Sequence, residues 1–377
     1  MKYDVVIIGA GMAGASLAAE LAGSGRTIAL LEAEDQPGYH ATGRSAAFWH
    51  ESYGGPLVQP LTTASLDFLR EPPDGFAEDG FLKSRHAITI GRDEDKAELE
   101  QFRADFADSG VEMVELDRAA LEAVVPGLRP EWKHGIAETS CADIEVGALH
   151  AAYLRYAKRG GVELKTRSRV ESAQRNAAGD WLLETTSGSI EAGVVVNAAG
   201  AWADQIATIA SVAPVGITPY RRTLLQLKVG TPTPAEMPFI MDVNGEFYFK
   251  GESEGKIWLS PHDETPEEPS DAAPEELDVA IAIDRLEHVV DWPIRAVESK
   301  WAGLRSFAPD RLPVIGFDPL VPDFFWLAGQ GGFGIMTAPA IAALAGREIV
   351  GERADSLHAH LTDLPPAEAF SPDRFDL

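Results

Sequence analysis

Apolar residues follow a strand pattern, then a helix pattern, then a strand pattern again over the first 32 positions of the chain. Residues 4–8 (Asp-Val-Val-Ile-Ile) form an apolar, β-branched run that is typical of a buried parallel strand. From Ala13 to Leu21 the apolar positions recur with helical spacing, and residues 27–31 form a second apolar run. The pattern therefore predicts strand, helix and strand in succession.

Three glycines, Gly9, Gly11 and Gly14, separate the first strand from the helix at G-x-G-x-x-G spacing. In such a loop the first glycine permits the tight turn, the second lets a pyrophosphate approach the backbone, and the third allows helix and strand to pack closely. Glu32 follows the second strand, where a carboxylate can bind both ribose hydroxyls and disfavours a 2′-phosphate. These residues predict a site for FAD or NAD rather than NADP.

The rest of the chain alternates between cofactor-type loops and sheet-type segments. At 377 residues it exceeds the size at which single cores usually stop growing, about 250–300 residues. We predict strands at 87–90, 162–165, 194–202, 223–229, 247–250 and 256–260, and a hairpin at 180–190 with a Ser-Gly turn. We also predict helices at 93–109, 147–159 and 335–350, and an acidic solvated loop at 263–278.

This order predicts an α/β fold with two interleaved domains. A Rossmann-like cofactor domain would comprise residues 1–80, 140–215 and 301–377. An α+β substrate domain with a mainly antiparallel sheet would comprise residues 81–139 and 216–300.

Composition narrows the range of partners and compartments. The 59 acidic and 32 basic side chains give a net charge of −27, which disfavours binding to nucleic acid or to anionic lipid. A single cysteine, Cys141, excludes an intrachain disulfide and a cysteine-based metal cage, and the scattered histidines predict no metal site. No apolar run approaches the ~20 residues of a membrane span, and the first strand leaves no room for a leader after Met1. We expect a cytoplasmic protein.

Several segments together resemble the D-amino-acid oxidase-like family of FAD-dependent amine and amino-acid oxidoreductases, and most closely its D-arginine dehydrogenases. The resemblance covers nearly the whole chain. Its carriers are Gly9–Gly14 with Glu32, Gly38–His40, Thr42–Ala47, Val196–Trp202, Tyr220–Arg222, Phe247–Tyr248, Trp301–Asp310 and Gly329–Gly334.

The resemblance implies FAD as the cofactor, and the three cofactor-type loops agree with an extended flavin. Family members with covalent flavin use a cysteine late in the chain; none follows Cys141 here, so we expect noncovalent FAD. The residues expected to face it are Gly9, Gly11, Met12, Ala13, Gly14, Glu32, Ala33, Thr42, Gly43, Arg44, Ser45, Ala46, Ala47, Val170, Ala199, Gly200, Trp202, Arg305, Gly331, Gly332, Phe333, Gly334 and Ile335.

Enzymes of this family transfer a hydride from a carbon bearing an amine to flavin N5, and the resulting imine hydrolyses to a 2-oxo acid and ammonia. The protein must hold the substrate carboxylate, for which a guanidinium fork is well suited. Arg222 and Arg305 are the candidates, with Tyr248 and Tyr53 as additional hydroxyl donors. His50 is a candidate base or lid residue, although no base is required if the amine arrives unprotonated.

The sequence also suggests a substrate class. The resemblance to D-arginine dehydrogenases implies that segment 84–87 (Ser-Arg-His-Ala) lies where a carboxylate would recognise a cationic side chain, and this segment contains no acid. Phe48, Ala87, Met336 and Gly332 are expected to line the pocket, so we predict a neutral, apolar D-amino acid, with the D configuration implied by the resemblance alone.

Three alternatives stay open. One is an oxidase of glycine or N-methyl amino acids, another is a 2-hydroxy-acid dehydrogenase with His50 as base, and the third is a flavin-binding subunit without activity. The electron acceptor (quinone, carrier or oxygen) and the oligomeric state are not indicated.

Overall fold

The computed structural model describes residues 2–375, which form three sheets and the helices that cover them. The strands are β1 (Lys2–Ile8), β2 (Ile28–Leu31), β3 (Phe48–Trp49), β4 (Leu82–Ser84), β5 (Ala87–Gly91), β6 (Met113–Leu116), β7 (His134–Glu138), β8 (Ala142–Ile144), β9 (Glu163–Lys165), β10 (Val170–Arg175), β11 (Trp181–Thr185), β12 (Gly188–Asn197), β13 (Thr218–Val229), β14 (Phe239–Asp242), β15 (Tyr248–Ser253), β16 (Lys256–Ser260), β17 (Thr265–Pro266), β18 (Ile294–Phe307), β19 (Val314–Phe317) and β20 (Phe324–Ala328). The helices are α1 (Met12–Leu21), α2 (Gln59–Ala64), α3 (Leu66–Arg70), α4 (Lys96–Asp105), α5 (Arg118–Val124), α6 (Val146–Arg159), α7 (Ala203–Ile209), α8 (Glu276–Glu287) and α9 (Ala338–Val350).

The first sheet has a parallel centre in the order β20-β12-β1-β2-β9. An antiparallel hairpin, β10-β11, extends it beside the first half of β12. Helices α1, α6 and α9 pack on one face, whereas α7 covers the other. Small residues such as Ala15, Ala18 and Ala19 are fully buried, which lets α1 lie close to the sheet. This is the predicted strand-helix-strand unit, and the α/β fold class is confirmed.

The second sheet is mainly antiparallel, in the order β17-β13-β16-β15-β14-β5-β7-β6, and β18 pairs along the whole of β13. Its outer face is apolar, since Leu225, Phe249 and Leu259 pack against Leu286 of α8. Because side chains alternate along a strand, the residues directly before and after these strand residues point to the inner face of the sheet. A small third sheet, β3-β8-β4, joins segments close to the boundary between the two large sheets.

Several elements differ in detail from the sequence predictions. Thr185 pairs with Gly188, so the hairpin turn lies at Thr186-Ser187, and β12 continues without a break to Asn197. Helix α4 begins only at Lys96, after a 3₁₀ turn at 93–95.

The prediction of a solvated loop at 263–278 was wrong in part. This segment contains β17 and the start of α8, and the side chain of Asp263 is buried against Arg222.

The predicted domain division remains a prediction. Strand β18 runs from Ile294 to Phe307, across the predicted boundary at residue 301. Met1, Asp376 and Leu377, which the division includes, lie outside the described residues. Among residues 2–375, no helix has the length and apolar character needed to cross a membrane.

Candidate active site

A cavity of about 420 Å³ lies at the carboxyl ends of the parallel strands. Ile8 and Leu31 mark the ends of β1 and β2 in its wall, and segment 198–202 follows β12. Arg222 of β13 and Arg305 of β18 form its opposite side. Ligands of open α/β sheets bind at this edge of the sheet. The cavity therefore contains a cofactor-type site at one end, and at the other end it reaches Arg222 and Arg305 of the second sheet.

The glycine loop after β1 has the geometry that a bound pyrophosphate requires. Gly9 has φ +103°, and a Cβ there would lie 2.4 Å from the carbonyl oxygen of Ala198. A Cβ on Gly14 would lie 1.9 Å from the carbonyl oxygen of Gly9, so helix and loop touch. Gly11 lines the cavity, and a Cβ there would meet only the Thr42 hydroxyl, at 3.3 Å. Gly11 thus leaves space for a ligand in the cavity, whereas Gly9 and Gly14 pack against neighbouring backbone atoms.

Glu32 is fixed at the cavity wall by backbone donors. Its Oε2 accepts from the Ala10 N–H at 3.1 Å and its Oε1 from the Glu34 N–H at 3.0 Å. A carboxylate oxygen has two lone pairs, so both oxygens keep capacity for the ribose hydroxyls of a dinucleotide. The residues present therefore fit FAD at this end of the cavity.

Most of the residues predicted to face the cofactor line this cavity. Four of the predicted residues do not line it: Gly14 packs against Gly9, Gly43 against Gly38, Ala47 bonds Ile144, and Phe333 is buried beside Phe307. Those that do are Gly9, Gly11, Met12, Ala13, Glu32, Ala33, Thr42, Arg44, Ser45, Ala46, Val170, Ala199, Gly200, Trp202, Arg305, Gly331, Gly332, Gly334 and Ile335.

Arg44 has a bridging role within the predicted cofactor loop. One terminal nitrogen donates to the carbonyl oxygens of Ala272 at 2.9 Å and Ala302 at 3.1 Å, and the other pairs with Asp271. The side chain thereby joins this loop to β18 and to the segment before α8.

Arg305 lines the substrate end of the cavity, and the hydroxyls of Tyr53 and Tyr248, which are not part of the lining, contact its guanidinium from behind. The Arg305 guanidinium donates to the Tyr53 hydroxyl from Nη1 and to the Tyr248 hydroxyl from Nη2, the latter at 3.5 Å. Burial acts to raise the pKa of Tyr53, but the charges of Arg305 and Arg222 outweigh burial and lower that pKa. A Cβ on Gly332 would lie 2.8 Å from the Tyr53 hydroxyl, so the last glycine loop lies directly against this group.

Arg222 completes the cluster and has an unused donor. Its Nε donates to the Asp263 carbonyl oxygen at 2.8 Å and its Nη2 to Glu264 Oε1 at 3.1 Å. Within residues 2–375, the buried Nη1 has no hydrogen-bond partner. Burial, and then repulsion by Arg305, lowers the pKa of Arg222, although an arginine still stays charged. Two guanidinium groups thus face one end of the cavity, and an anionic ligand would balance them.

His262 belongs to the same region, and the sequence analysis missed it. Burial, followed by the charges of Arg222 and Arg305, lowers the pKa of His262 to about 2, so its ring is neutral at working pH. The ring lies edge-on to Tyr248 at a centroid distance of 5.5 Å. His262 has no motif around it in the sequence; only the pairing of the preceding strand, β16, with β13 and β15 places it here.

His50, the candidate base, is buried and does not line the cavity. Its Nε2 lies 3.1 Å from Glu138 Oε2, and both side chains are almost fully enclosed. Burial acts to raise the pKa of Glu138, but His50 outweighs it and lowers that pKa. The His50 ring lies parallel to the Tyr53 ring at 6.3 Å. The pair therefore supports Tyr53 from behind.

The predicted pocket residues separate into two groups. Phe48 and Ala87 belong to one cluster with Leu224 and Tyr248, and Leu224 lines the cavity. Met336, in contrast, is buried in the core of the first sheet and its helices, and it does not line the cavity.

Comparison with known proteins identifies the family. Residues 4–347 match the family model described as FAD dependent oxidoreductase, DAO. The bifunctional protein ThiO/ThiG of Nostoc sp. is 25% identical over 383 residues, which cover 96% of this chain and 54% of the relative. The chain thus spans about half the length of that relative.

Solved structures show the same fold. Glycine oxidase from Geobacillus kaustophilus has a TM-score of 0.82 at 21% identity, with 99% of each chain covered. L-proline dehydrogenase from P. horikoshii has a TM-score of 0.82 at 20% identity, covering 100% of this chain and 98% of its own. The predicted family and the predicted cofactor are both confirmed: the chain belongs to the DAO family of FAD-dependent oxidoreductases.

Proposed function

We propose that this protein catalyses the FAD-dependent oxidative deamination of a D-amino acid without a cationic side chain. FAD, held at the end of the cavity that Gly11 and Glu32 line, would supply the acceptor for a hydride from the substrate Cα, and the imino acid would hydrolyse to a 2-oxo acid and ammonia. The observation that carries the proposal is the pair of guanidinium groups, Arg222 and Arg305, that line the end of the FAD cavity, with the Tyr53 and Tyr248 hydroxyls bound to Arg305 behind them.

These residues bind and orient the substrate. Arg222 Nη1, which is buried without a partner among the described residues, is available to a carboxylate oxygen, and Arg305 lies on the paired strand β18. A carboxylate held by several donors has its Cα in a fixed position. No proton-accepting side chain is assigned, because a substrate with a neutral amine needs none.

The side-chain pocket supports the exclusion of cationic substrates. Lys250, on the strand that carries Tyr248, is buried near Phe48, and it would repel a second cation. The apolar side chains of Phe48, Phe239 and Leu224 suit a substrate with the predicted neutral, apolar side chain. The charged side chain of Lys250 does not suit such a substrate. The D configuration rests on the family resemblance, and the neighbours named above act on glycine and L-proline.

The 2-hydroxy-acid alternative needs an imidazole base within reach of the substrate. His50 Nε2 already contacts Glu138 and Ser52, each at 3.1 Å, which argues against that role. The alternative with glycine or N-methyl amino acids uses the same arginines and is separated by substrate profiling. The electron acceptor stays open among oxygen, a quinone and a carrier. The single cysteine, Cys141, is buried and does not line the cavity, which supports noncovalent FAD.

Anaerobic titration of the purified holoenzyme tests the proposal. We expect single D-amino acids to bleach the visible flavin band, and L-amino acids, sarcosine and 2-hydroxy acids to do so weakly. Reduction by 2-hydroxy acids alone, with loss in the His50→Ala variant, would establish the alternative instead. A flavoprotein that none of these compounds reduces would overturn the assignment as an amino-acid-oxidising enzyme.

A further inference from the structure

A second charged cluster lies beside the carboxylate site on the inner face of the second sheet. Lys250 is two residues from Tyr248 on β15, so both side chains leave the same face, about 7 Å apart along the strand. In the strand register Lys250 is opposite Trp258 of β16, and Trp258 is opposite Gln226 of β13. This face therefore continues from the carboxylate-binding residues directly to Lys250.

The cluster contains more positive than negative charge. Lys250 Nζ lies 2.8 Å from Asp143 Oδ1, and Arg85 Nε donates to Asp143 Oδ2 at 2.7 Å. One carboxylate thus serves two buried cations, and Glu138, the next acid along this face, is paired with His50. Lys250 is only 9% exposed and shares its counter-ion with Arg85. Burial of such a cation destabilises the folded protein unless another anion binds nearby.

Aromatic rings enclose the ammonium group on two sides. The Phe48 and Trp258 ring centroids lie 4.6 Å and 4.7 Å from Lys250 Nζ. Phe48 packs in one cluster with Leu224, which lines the cavity, so Lys250 lies one side chain behind the cavity wall. Arg85 is turned away from this side, since its Nη1 donates to the carbonyl oxygens of Ala235 and Met237. Lys250 is thus the cation of the pair that is nearer to the cavity.

Unpartnered hydrogen-bond donors give a second, independent indication. The indole Nε1 of Trp258 is buried and bonds to nothing within residues 2–375, and the same holds for Nη1 of Arg222. A buried donor without a partner is destabilising, so both positions favour a ligand rich in acceptors. A single carboxylate bound at Arg222 and Arg305 leaves Trp258, which is opposite Gln226 and so four strand positions from Arg222, without an acceptor.

We propose that the substrate carries a second carboxylate, and that Lys250 and the indole N–H of Trp258 bind it. Lys250 is then a specificity-determining residue, and the substrate is a dicarboxylic amine. The second carboxylate belongs either to the side chain of an acidic amino acid or to a carboxyalkyl group on the amine nitrogen. This inference rests on the proposed function, and it replaces the apolar side chain predicted from the sequence with an anionic group.

Binding measurements on the holoenzyme test the inference without turnover. Succinate and glutarate are compared with butyrate, by calorimetry and by the perturbation of the flavin spectrum. We expect the dicarboxylates to bind more tightly, and Lys250→Met to lose about ten- to a hundred-fold in dicarboxylate affinity while butyrate binding changes little. Lys250→Arg, which keeps the charge, should retain part of the preference.

Two features keep the result interpretable. Lys250→Met leaves Asp143 paired with Arg85, so the buried charges balance and the fold should persist. The matched control is Lys256→Met on β16, whose ammonium pairs with Glu298 at 2.7 Å and is 38% exposed. This control should leave both classes of ligand unaffected.

Reduction of the flavin then identifies the source of the second carboxylate. Faster reduction by aspartate or glutamate than by valine assigns it to the side chain, and faster reduction by iminodiacetate assigns it to the nitrogen substituent. If monocarboxylic amino acids reduce the flavin best and Lys250→Met affects all ligands alike, Lys250 is a structural ion-pair partner and the inference fails while the proposed function stands. If no amino acid of either class reduces it, the proposed function itself fails.

Discussion

The Arg305 guanidinium donates a hydrogen bond to the hydroxyl of Tyr53, a residue 252 positions earlier in the chain. Arg305 belongs to the long strand β18 of the second sheet, whereas Tyr53 follows the short strand β3 at the edge of the third. The contact therefore joins two sheets at the end of the FAD cavity. It holds the guanidinium in one orientation before any ligand binds, which lowers the ordering cost of carboxylate binding.

Replacing Arg305 by lysine should weaken substrate binding although the charge is kept. Lysine has a compact ammonium in place of the planar guanidinium fork, so it cannot reproduce the geometry with which Arg305 contacts Tyr53, Tyr248 and a carboxylate. We expect kcat/KM to fall about a hundred-fold, which corresponds to a loss of about 3 kcal/mol. Steady-state kinetics with the best substrate measures the loss.

Arg103→Gln is the control for this change. Arg103 forms an exposed ion pair with Glu115, and neither residue lines the cavity. It should retain parental kinetics. Unchanged kcat/KM in Arg305→Lys would show that this guanidinium does not bind the substrate.

The Tyr53 hydroxyl should give carboxylate binding an alkaline limit. Arg305 and Arg222 lower the pKa of this phenol below its ordinary value of 10.0, in spite of burial. As pH rises through that lowered pKa, a phenolate forms and repels the ligand carboxylate. We expect the affinity for butyrate to decline at a pH below 10, and this decline to vanish in Tyr53→Phe. Butyrate has no amine, so its own titration does not interfere.

Tyr156→Phe is the matched control, since Tyr156 lies on α6 and packs against Phe76 and Arg159 rather than against Arg222 and Arg305. It should keep the alkaline decline of the parent. Persistence of the decline in Tyr53→Phe would assign it to another group.

The sequence predicts the cofactor half of the site better than the substrate half. Gly9, Gly11 and Glu32 lie within one continuous strand-helix-strand unit, so their spacing alone places them at one sheet edge. Lys250, Trp258 and Asp143 come from separate strands and from two sheets. Their proximity depends on strand register, which no local pattern in the sequence specifies.

Local patterns also misjudged residues whose partners are distant. Segment 263–278 is rich in acids and prolines, and solvation was the natural prediction. Asp263 is nevertheless buried, because the Arg222 and Thr223 side chains on β13 bind it. Met336 was assigned to the pocket beside Phe48 because both are apolar, but it faces the core of the first sheet.

Gly11→Ala should reduce FAD affinity without unfolding the protein. A Cβ at this position meets only the Thr42 hydroxyl at 3.3 Å, so the fold tolerates it, yet the methyl group occupies the space where the pyrophosphate approaches the backbone. We expect at least about a ten-fold weaker affinity for FAD, measured by reconstitution of the apoprotein and flavin fluorescence.

Gly147→Ala provides the comparison, because Gly147 lies in α6 and a Cβ there has no neighbour within 4 Å. Alanine should stabilise that helix by roughly 0.5–1 kcal/mol and leave FAD affinity unchanged. Equal FAD binding in the two variants would mean that Gly11 does not face the pyrophosphate.

The buried carboxyl group of Asp242 should make the protein less stable as pH rises. Burial raises its pKa from 3.8 to about 6, helped by the nearby charges of Glu246 and Asp95. The folded state therefore binds this proton more tightly than the unfolded state. Its stabilising contribution is complete below pH 3.8, declines as pH rises to about 6, and stays lost above that.

Asp242→Asn removes this titration and should raise the free energy of unfolding, relative to the parent, by up to about 3 kcal/mol at pH 7 and above. The gain should shrink toward pH 4, where the parental carboxyl is protonated. Denaturant unfolding at pH 4, 5, 6 and 7 measures the difference. Asp284→Asn, at a side chain that is 71% exposed, should show no such trend. A difference between Asp242→Asn and parent that is constant with pH would indicate that the carboxyl is ionised in both folded and unfolded states.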